Sequence, residues 1–510
     1  MTISRWASGG VAVWAPLTVA LALTVGYLVA APHTSDLAAQ LARAELFRRS
    51  GYVPFWTGWF GGIPTVSYSL ITPPLLGWLG PVLLGGLSIF ATGVVVVALL
   101  RDAPRPSAGA IFFVIAATLD VISGRTTFAV GAVLALAALL AAERRRPIAG
   151  ALLAALATAA SPVAGVLLLV AVAALLMADP ARRRVAAGLG AAVVITLVVL
   201  EVLAGGAGSG YEPLSRTSTL MAVGTALLVV IVPVSRRVRA GAVVAVAFLL
   251  LVYFIHSPIG ANATRIAVLG AAPTMVAAAR LPRRWLVLGV AVASLLPLAQ
   301  LHNDYVRSRV PDFSRAFVAP LLVQLEAQPD VVQYRVELVD TATRFPSTYV
   351  LPHVALARGW ERQTDEARNP IFYDSGRLTP STFHAFLARN AVGYVAVPVG
   401  VKLDFGSIGE ELLIGSRLPY LHRIWGNANW RLYAVDAPTP IVAAPATVAS
   451  LADTGLTLTV PSSGSYVVRM QWSPYLVVDG GRVSRAPDGD VILHLTSAGS
   501  HRLHAVWRWP

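Results

Sequence analysis

The 510-residue chain is 56% hydrophobic and only 13% charged, about half the charge of an ordinary soluble domain, which excludes a wholly soluble protein. Its net charge of +14 is carried by arginines clustered between apolar runs, a placement that argues against a nucleic-acid partner. No cysteine is present, so disulfides, thiolate catalysis and cysteine metal sites are excluded.

Arg5 precedes an apolar run from about Val11 to Ala31. The run is long for a signal peptide and lacks a small-x-small cleavage site before Pro32, so an uncleaved first helix is expected. Further apolar runs lie near 78–100, 108–122, 127–142, 148–160, 163–178, 187–204, 219–234, 240–255, 264–279 and 285–301, which makes eleven candidate spans. Alternating them from a cytoplasmic N-terminus puts Arg101/Arg105, Arg144–Arg146, Arg182–Arg184, Arg236/Arg237/Arg239 and Arg280/Arg283/Arg284 all inside, as the positive-inside rule requires. Residue 302 then emerges outside. Lys402 is the sole lysine, and the Ala, Val and Arg excess is that of a GC-rich bacterial genome. The expected location is therefore a bacterial plasma membrane, crossed many times, with an extracytoplasmic C-terminal region.

From 302 the pattern becomes that of a soluble protein. A helix is expected over Phe317–Gln328, strands around Tyr334–Val339 and Thr348–Ala357, and a helix over Phe383–Asn390 opened by the capping signal Thr379-Pro380-Ser381-Thr382. A buried strand at Val392–Val397, a helix near Ile408–Gly415 and strands through 420–435 complete an α/β alternation. Pro438 and Pro440 mark a linker, and 441–510 reads as strands separated by Gly, Asp and Ser turns. The expected fold is a mainly α polytopic membrane domain over 1–301, an extracytoplasmic α/β domain over 302–437 and a small β-sandwich over 438–510.

Acids are scarce in the membrane half: Asp36, Glu45, Asp102, Asp120, Glu143, Asp179, Glu201 and Glu212. Asp102, Glu143 and Asp179 sit beside cytoplasmic arginines and read as loop solvation. An acid at or in the membrane is costly to keep and is a functional candidate by default. Asp36 opens a helix running to about Arg49, with Leu37, Leu41, Ala44 and Phe47 on an apolar face and Arg43, Arg48 and Arg49 as cations. Such a helix is expected to lie in the interface plane. Asp36 either caps it, as Asp commonly does, or acts as a base. Asp120 beside Arg125 reads either as an ion pair at a helix end or as a second acid. Trp59, Phe60 and Tyr68 in the long first loop, 32–77, either line a lipid or sugar groove or anchor the interface. His33 and His256 either assist proton transfer or sit hydrogen-bonded at the interface. Asn262 and Arg265 stand together at the outer start of a run.

A first span, then a long outer loop opening with an acid on a helix, then a Gly/Pro/aromatic stretch, resembles the GT-C superfamily of membrane glycosyltransferases. The resemblance is most specific over 33–80; Ala357-Arg358-Gly359-Trp360-Glu361-Arg362-Gln363 and Gly260-x-Asn262-x-x-Arg265 look like signatures of actinobacterial members. It implies a sugar donor linked to polyprenyl phosphate, an envelope glycan or lipid acceptor, and contact with membrane lipids. It makes Asp36 the catalytic base of an inverting transfer. His33, Arg43, Arg49, Trp59, Tyr68, Arg125, His256, Asn262 and Arg265 become the substrate-binding candidates, with arginine forks for the departing phosphate. Some members carry paired acids in this loop where this chain has the single Asp36, so a divalent metal stays an open expectation and no metal ligand is assigned. Rival readings are a transporter or flippase of envelope lipids and a non-catalytic envelope scaffold. No P-loop, dinucleotide fingerprint, HExxH or GxSxG is present.

Overall fold

The structure, a computed structural model, describes residues 10–67, 69–205, 210–307 and 310–508. It divides into two compact units. The first comprises Met1–Gln40, Tyr68–Leu200 and Tyr211–Val306; the second comprises Leu41–Ser67, Glu201–Gly210 and Arg307–Pro510.

The first unit is helical. α1 (Gly10–Ala30) stops at Ala31, where the backbone turns left-handed ahead of Pro32; a proline there cannot continue the hydrogen-bond ladder. α2 (Ser35–Ser50) begins in this unit and ends in the second. Between it and the next helix, β1 (Phe55–Trp56) and β2 (Ile63–Pro64) pair as a short antiparallel ribbon. α3 (Thr72–Leu79) and α4 (Pro81–Leu99) are separated only by Gly80. Then come α5 (Pro106–Ile122), α6 (Thr126–Glu143), α7 (Pro147–Ala160), α8 (Pro162–Ala178), α9 (Arg183–Ala204), α10 (Arg216–Ile231), α11 (Arg236–Phe254) and α12 (Arg265–Ala278). The run at 285–301 is broken into α13 (Arg283–Ala293) and α14 (Leu295–Arg307). Pro297 accounts for the break, because its ring excludes the carbonyl four residues earlier, at Ala293.

Every one of the eleven apolar runs is therefore helical. Among the described residues, α1, α4, α6, α9 and α11, and the α13–α14 segment taken together, reach both the length and the apolarity of a membrane crossing, while α5, α7, α8 and α10 are apolar but shorter. At 1.5 Å per residue, the 14 residues of α7 span roughly 21 Å, short of a bilayer core of about 30 Å. Large apolar side chains point outward, with Ile195 63% and Phe254 74% exposed, which suits a lipid surround rather than water. Helices approach through small residues: a Cβ added at Gly109 would stand 2.4 Å from that of Ala277, and one at Gly93 2.7 Å from that of Ala20. Such packing is how membrane helices associate without a hydrophobic drive. The chain is a multi-pass membrane protein.

In the second unit, α15 (Arg315–Glu326) is followed by β3 (Arg335–Leu338), α16 (Phe345–Val350), α17 (Arg362–Arg368), α18 (Pro380–Arg389), β4 (Val392–Pro398), α19 (Ile408–Gly415), β5 (Leu421–Gly426) and β6 (Trp430–Val435). The sheet order is β3-β4-β6-β5, with β3 and β4 parallel and the other pairs antiparallel. Thr379 forms a reciprocal capping box with Thr382 at the start of α18, where the sequence places one. The strand expected at Thr348–Ala357 is not one: Pro346 opens α16 instead, and Leu356 alone bridges to Val336. Beyond the prolines, β7 (Thr447–Ala452), β8 (Gly455–Val460), β9 (Gly464–Gln471), β10 (Leu476–Val478), β11 (Gly481–Arg485), β12 (Asp490–Leu495) and β13 (Gly499–Ala505) form two antiparallel sheets. Their orders are β10-β13-β8-β7 and β11-β12-β9, and Val468, Leu458, Val491, Leu493 and Leu503 fill the space between them. The fold is thus mainly α with C-terminal β-sheets.

Trp56, Trp59, Phe60 and Ile63 from the first loop lie in the core of this second unit, packed with Phe317, Leu338 and Trp430. Trp59 is 0% exposed. Neither expected role, groove lining or interface anchoring, is open to it. Tyr68 lies outside the described residues.

Candidate active site

The turn between α5 and α6 builds the site. Gly124 takes φ +84°, and a Cβ on it would meet the Leu37 backbone nitrogen at 2.3 Å. A glycine is therefore needed for the turn to close onto the first turn of α2. Thr34 Oγ1 donates to the Ile122 carbonyl (2.9 Å), and Thr127 Oγ1 to the Gln40 side chain (2.5 Å). These bonds fix the start of α2 against the turn.

Arg125, the residue after Gly124, then reaches two acids. Its Nε donates to Asp36 Oδ2 at 2.9 Å and its Nη1 to Asp120 Oδ1 at 3.3 Å. Asp36 lies in the first turn of α2, not at its cap, where the helix dipole favours a carboxylate. Its side chain is 28% exposed, whereas that of Asp120 is 4% exposed. Asp36 Oδ1 has no hydrogen-bond partner among the described residues and is open to an incoming group. A third acid joins from α14: Asp304 hydrogen-bonds Ser123 and acts on Arg125 electrostatically. Asp304 follows the last apolar run directly, and that adjacency was its only sequence signal.

Asp120 also faces a cavity of about 190 Å³ among α4, α5, α6, α8 and α12. Its walls are apolar, including Phe113, Leu136, Leu139, Leu168 and Leu269. The charges on it are Asp120 and Arg265. Ser88 and Thr92 line it too, but their hydroxyls donate to carbonyls one turn back in their own helix. Arg265 is the first residue of α12, and its guanidinium stands 4.4 Å from the centre of the Phe128 ring. The preceding 3₁₀ turn, Gly260–Thr264, holds Asn262 and presents Arg265 to the groove. Gly260 permits this, since a Cβ there would fall 1.8 Å from the Glu212 carbonyl oxygen. The groove thus has an apolar body and a charged end, and one arginine links that end to Asp36.

The other candidates are distributed as follows. His256 is exposed, its ring tilted 4.7 Å from Tyr211. His33 is exposed beside α2. Arg43 and Arg49 belong to the second unit, where Arg43 is buried in an ion pair with Glu361 and Arg49 pairs with Asp453 at 2.7 Å. Nor does α2 present one polar face. Leu37, Ala38, Ala39, Gln40, Ala42, Arg43, Ala44 and Leu46 are all buried, because the helix is packed on several sides instead of lying at a lipid surface.

The Arg358–Gln363 motif braces the second unit. The Arg358 guanidinium is buried among Asp365 (2.7 Å), Glu410 (2.9 Å) and Glu337 (3.4 Å), with the Phe372 ring 4.0 Å away. Burial alone would lower its proton affinity; the three carboxylates more than reverse that. Burial and mutual repulsion push Glu337 well up, and burial pushes Glu410 up to about 7 and Asp340 to about 7. Burial would also raise Asp404, but Arg344 at 2.6 Å and Arg362 at 3.1 Å hold it well below the usual carboxylate range. Gly359 lies flat on Trp59, where a Cβ would be 2.4 Å from the indole.

No family model matches the sequence, and no curated protein does. Among solved structures the chain is similar to ArnT from Cupriavidus metallidurans, crystallised with undecaprenyl phosphate. That match has 13% identity and a TM-score of 0.46, covering 83% of this chain and 97% of that one. It is also similar to the arabinosyltransferase EmbB from Mycobacterium smegmatis, at 15% identity and a TM-score of 0.33, covering 100% of this chain and 64% of that one.

Proposed function

We propose that the chain is an inverting glycosyltransferase that moves a sugar from a polyprenyl-phosphate donor to a cell-envelope acceptor at the outer face of the membrane. The observation that carries this reading is the groove: apolar along its body, with Asp120 and Arg265 at one end and Asp36 linked to them through Arg125. An amphiphile with an apolar tail and an anionic head matches it. Burying the tail contributes about 25 cal/mol per Å², and a guanidinium such as Arg265 suits a phosphate head.

The chemistry then follows from the side chains. The acceptor hydroxyl attacks the sugar's anomeric carbon from the face opposite the phosphate. Asp36 Oδ1 takes the hydroxyl proton as the new C–O bond forms. The old bond to the phosphate oxygen breaks, and the departing polyprenyl phosphate carries its charge toward Arg265. Arg125 holds Asp36 in one rotamer by occupying Oδ2. Among the described residues no three His, Asp or Glu converge to hold a metal ion, and no step above draws on one.

The test compares envelope glycans and polyprenyl-phosphate sugars in cells carrying the wild-type chain or Asp36→Asn. Loss of a general base is expected to cut transfer by roughly 10²–10⁴-fold, with unchanged protein level and accumulation of donor. Undiminished glycan product in Asp36→Asn would overturn the enzyme reading in favour of a scaffold. Uptake of a labelled solute that persists in the variant would favour a transporter.

A further inference from the structure

α9 has the length and apolarity of a membrane crossing. Ile195, Val198 and Val202 share one of its faces and are 63%, 58% and 44% exposed. That face suits lipid, and it runs to within two residues of the helix's end at Ala204. The end itself, Glu201–Gly210, belongs to the second unit, so what that unit places against it is fixed in depth relative to the span.

Two contacts define what lies there. The last carbonyls of a helix have no partner within it, and here the Tyr475 hydroxyl donates to the Leu203 carbonyl at 2.7 Å. Pro474 lies beside Gly205, where an added Cβ would stand 3.8 Å from the proline ring. The turn between β9 and β10 therefore sits on the end of a membrane helix.

The C-terminal segment after β13 gathers on the same turn. Val506 donates its backbone N–H to the Tyr475 carbonyl at 2.9 Å. The Trp507 ring meets the Tyr475 ring edge-on, with centroids 5.8 Å apart, and stacks on Tyr52 at 5.0 Å. Its indole N–H is spent on the Tyr52 carbonyl at 2.6 Å. With that one polar group engaged, the ring offers only carbon to its surroundings, yet the residue is 41% exposed. Arg508 is also exposed. Its Nε donates to the Pro474 carbonyl and its Nη2 to the Leu476 carbonyl at 3.2 Å, which holds the guanidinium at the turn.

We infer that Trp507 and Arg508 form an interfacial anchor in the bilayer that α9 crosses, with the ring among the upper acyl chains and the guanidinium beside lipid phosphates. Tryptophan favours that depth, and a guanidinium fork matches a phosphate. An exposed ring could equally stack on a soluble glycan, but its attachment to the last turn of a lipid-facing helix favours lipid. The anchor is independent of the transfer chemistry proposed above and of which side of the membrane the unit occupies.

The chain has no cysteine, so a single one can carry an environment-sensitive nitrobenzoxadiazole label. Arg508→Cys and, separately, Trp507→Cys are labelled in the full-length protein and placed in phosphatidylcholine nanodiscs. The discs contain lipid bearing a nitroxide on the headgroup or near the chain end, and iodide serves as the aqueous quencher. Headgroup nitroxide should lower the emission of both labels several-fold relative to discs of plain lipid, and chain-end nitroxide should lower it less. Thermal melting checks each variant, and if one fails to fold the other decides. Labels quenched by iodide but by neither lipid overturn the anchor and leave the ring to a soluble glycan. Labels that no quencher reaches overturn it too, as does stronger quenching from the chain end than from the headgroup.

Discussion

Raising the pH from about 5 to about 8 is expected to loosen the second unit, and the buried acids set the size of the effect. Asp340 is buried with Oδ1 unpartnered among the described residues, and it is held at about 7 instead of its ordinary 3.8. Below about pH 4 both folded and unfolded chains keep the proton, so this group gives no pH dependence. Above that the unfolded chain releases it while the native one retains it. Stability therefore falls as pH rises, until the native group titrates near 7. At about 1.4 kcal/mol per tenfold change in proton concentration, the loss is roughly 4 kcal/mol. Glu410, pushed up to about 7 from 4.5, acts in the same direction; it shares protons with Glu337, so the two losses do not add. Asp404 has the opposite sign. Its stabilisation is present above its ordinary 3.8 and is lost on acidification, so it is constant across this window. Hydrogen exchange by mass spectrometry on the full-length protein in detergent, corrected for intrinsic rates, reads the effect. The peptides to follow cover β4, every residue of which is buried. Of that total, the part that falls between about pH 5 and about pH 8 is roughly 2.5 kcal/mol, so their opening free energy should fall by about that much, and by less in Asp340→Asn. Protection that is flat or rises with pH refutes the reasoning.

Two further substitutions probe the two units separately. Arg358→Met leaves Glu337, Asp365 and Glu410 buried without their cation; the cost is about 3–5 kcal/mol, read as faster proteolysis within the second unit. Arg358→Lys should not rescue it, because an ammonium lacks the planar fork that meets three acids at once. Gly124→Ala forces a side chain into a left-handed turn 2.3 Å from the Leu37 backbone, at a cost of roughly 1–3 kcal/mol. Because the displaced segment carries Asp36, transfer per unit of folded protein should drop although exchange protection of α4 and α6 stays unchanged; retained transfer would separate Asp36 from the chemistry.

Local physics made most of the fold legible. Each long apolar run became a helix, and the Thr379–Thr382 cap and the all-buried Val392–Pro398 strand stand where their residues put them. Where the structure departs from the local pattern, long-range packing is the cause. Thr348–Ala357 has strand-forming residues, yet Pro346 and the packing of Phe345 and Val350 in the interior make its start helical. Trp56 and Trp59 look like interface anchors by composition, and only the chain beyond residue 307 shows that they are core.

The arginines show why a site is harder to read than a fold. Arg43, Arg49, Arg125, Arg265 and Arg335 are alike in sequence terms: a cation near apolar neighbours. What separates them is the partner each meets. Arg43 finds Glu361, 318 residues away, and Arg49 finds Asp453, 404 residues away, so both are spent on holding the second unit together. Arg125 is spent as well, but on two acids that converge through a glycine turn, which turns a structural ion pair into a positioning device for Asp36. Arg265 instead lies over the Phe128 ring beside an apolar cavity, and Arg335 donates to the carbonyls of Asn390 and Arg469. Partners that distant in sequence are set by the fold, and no local pattern around an arginine carries them.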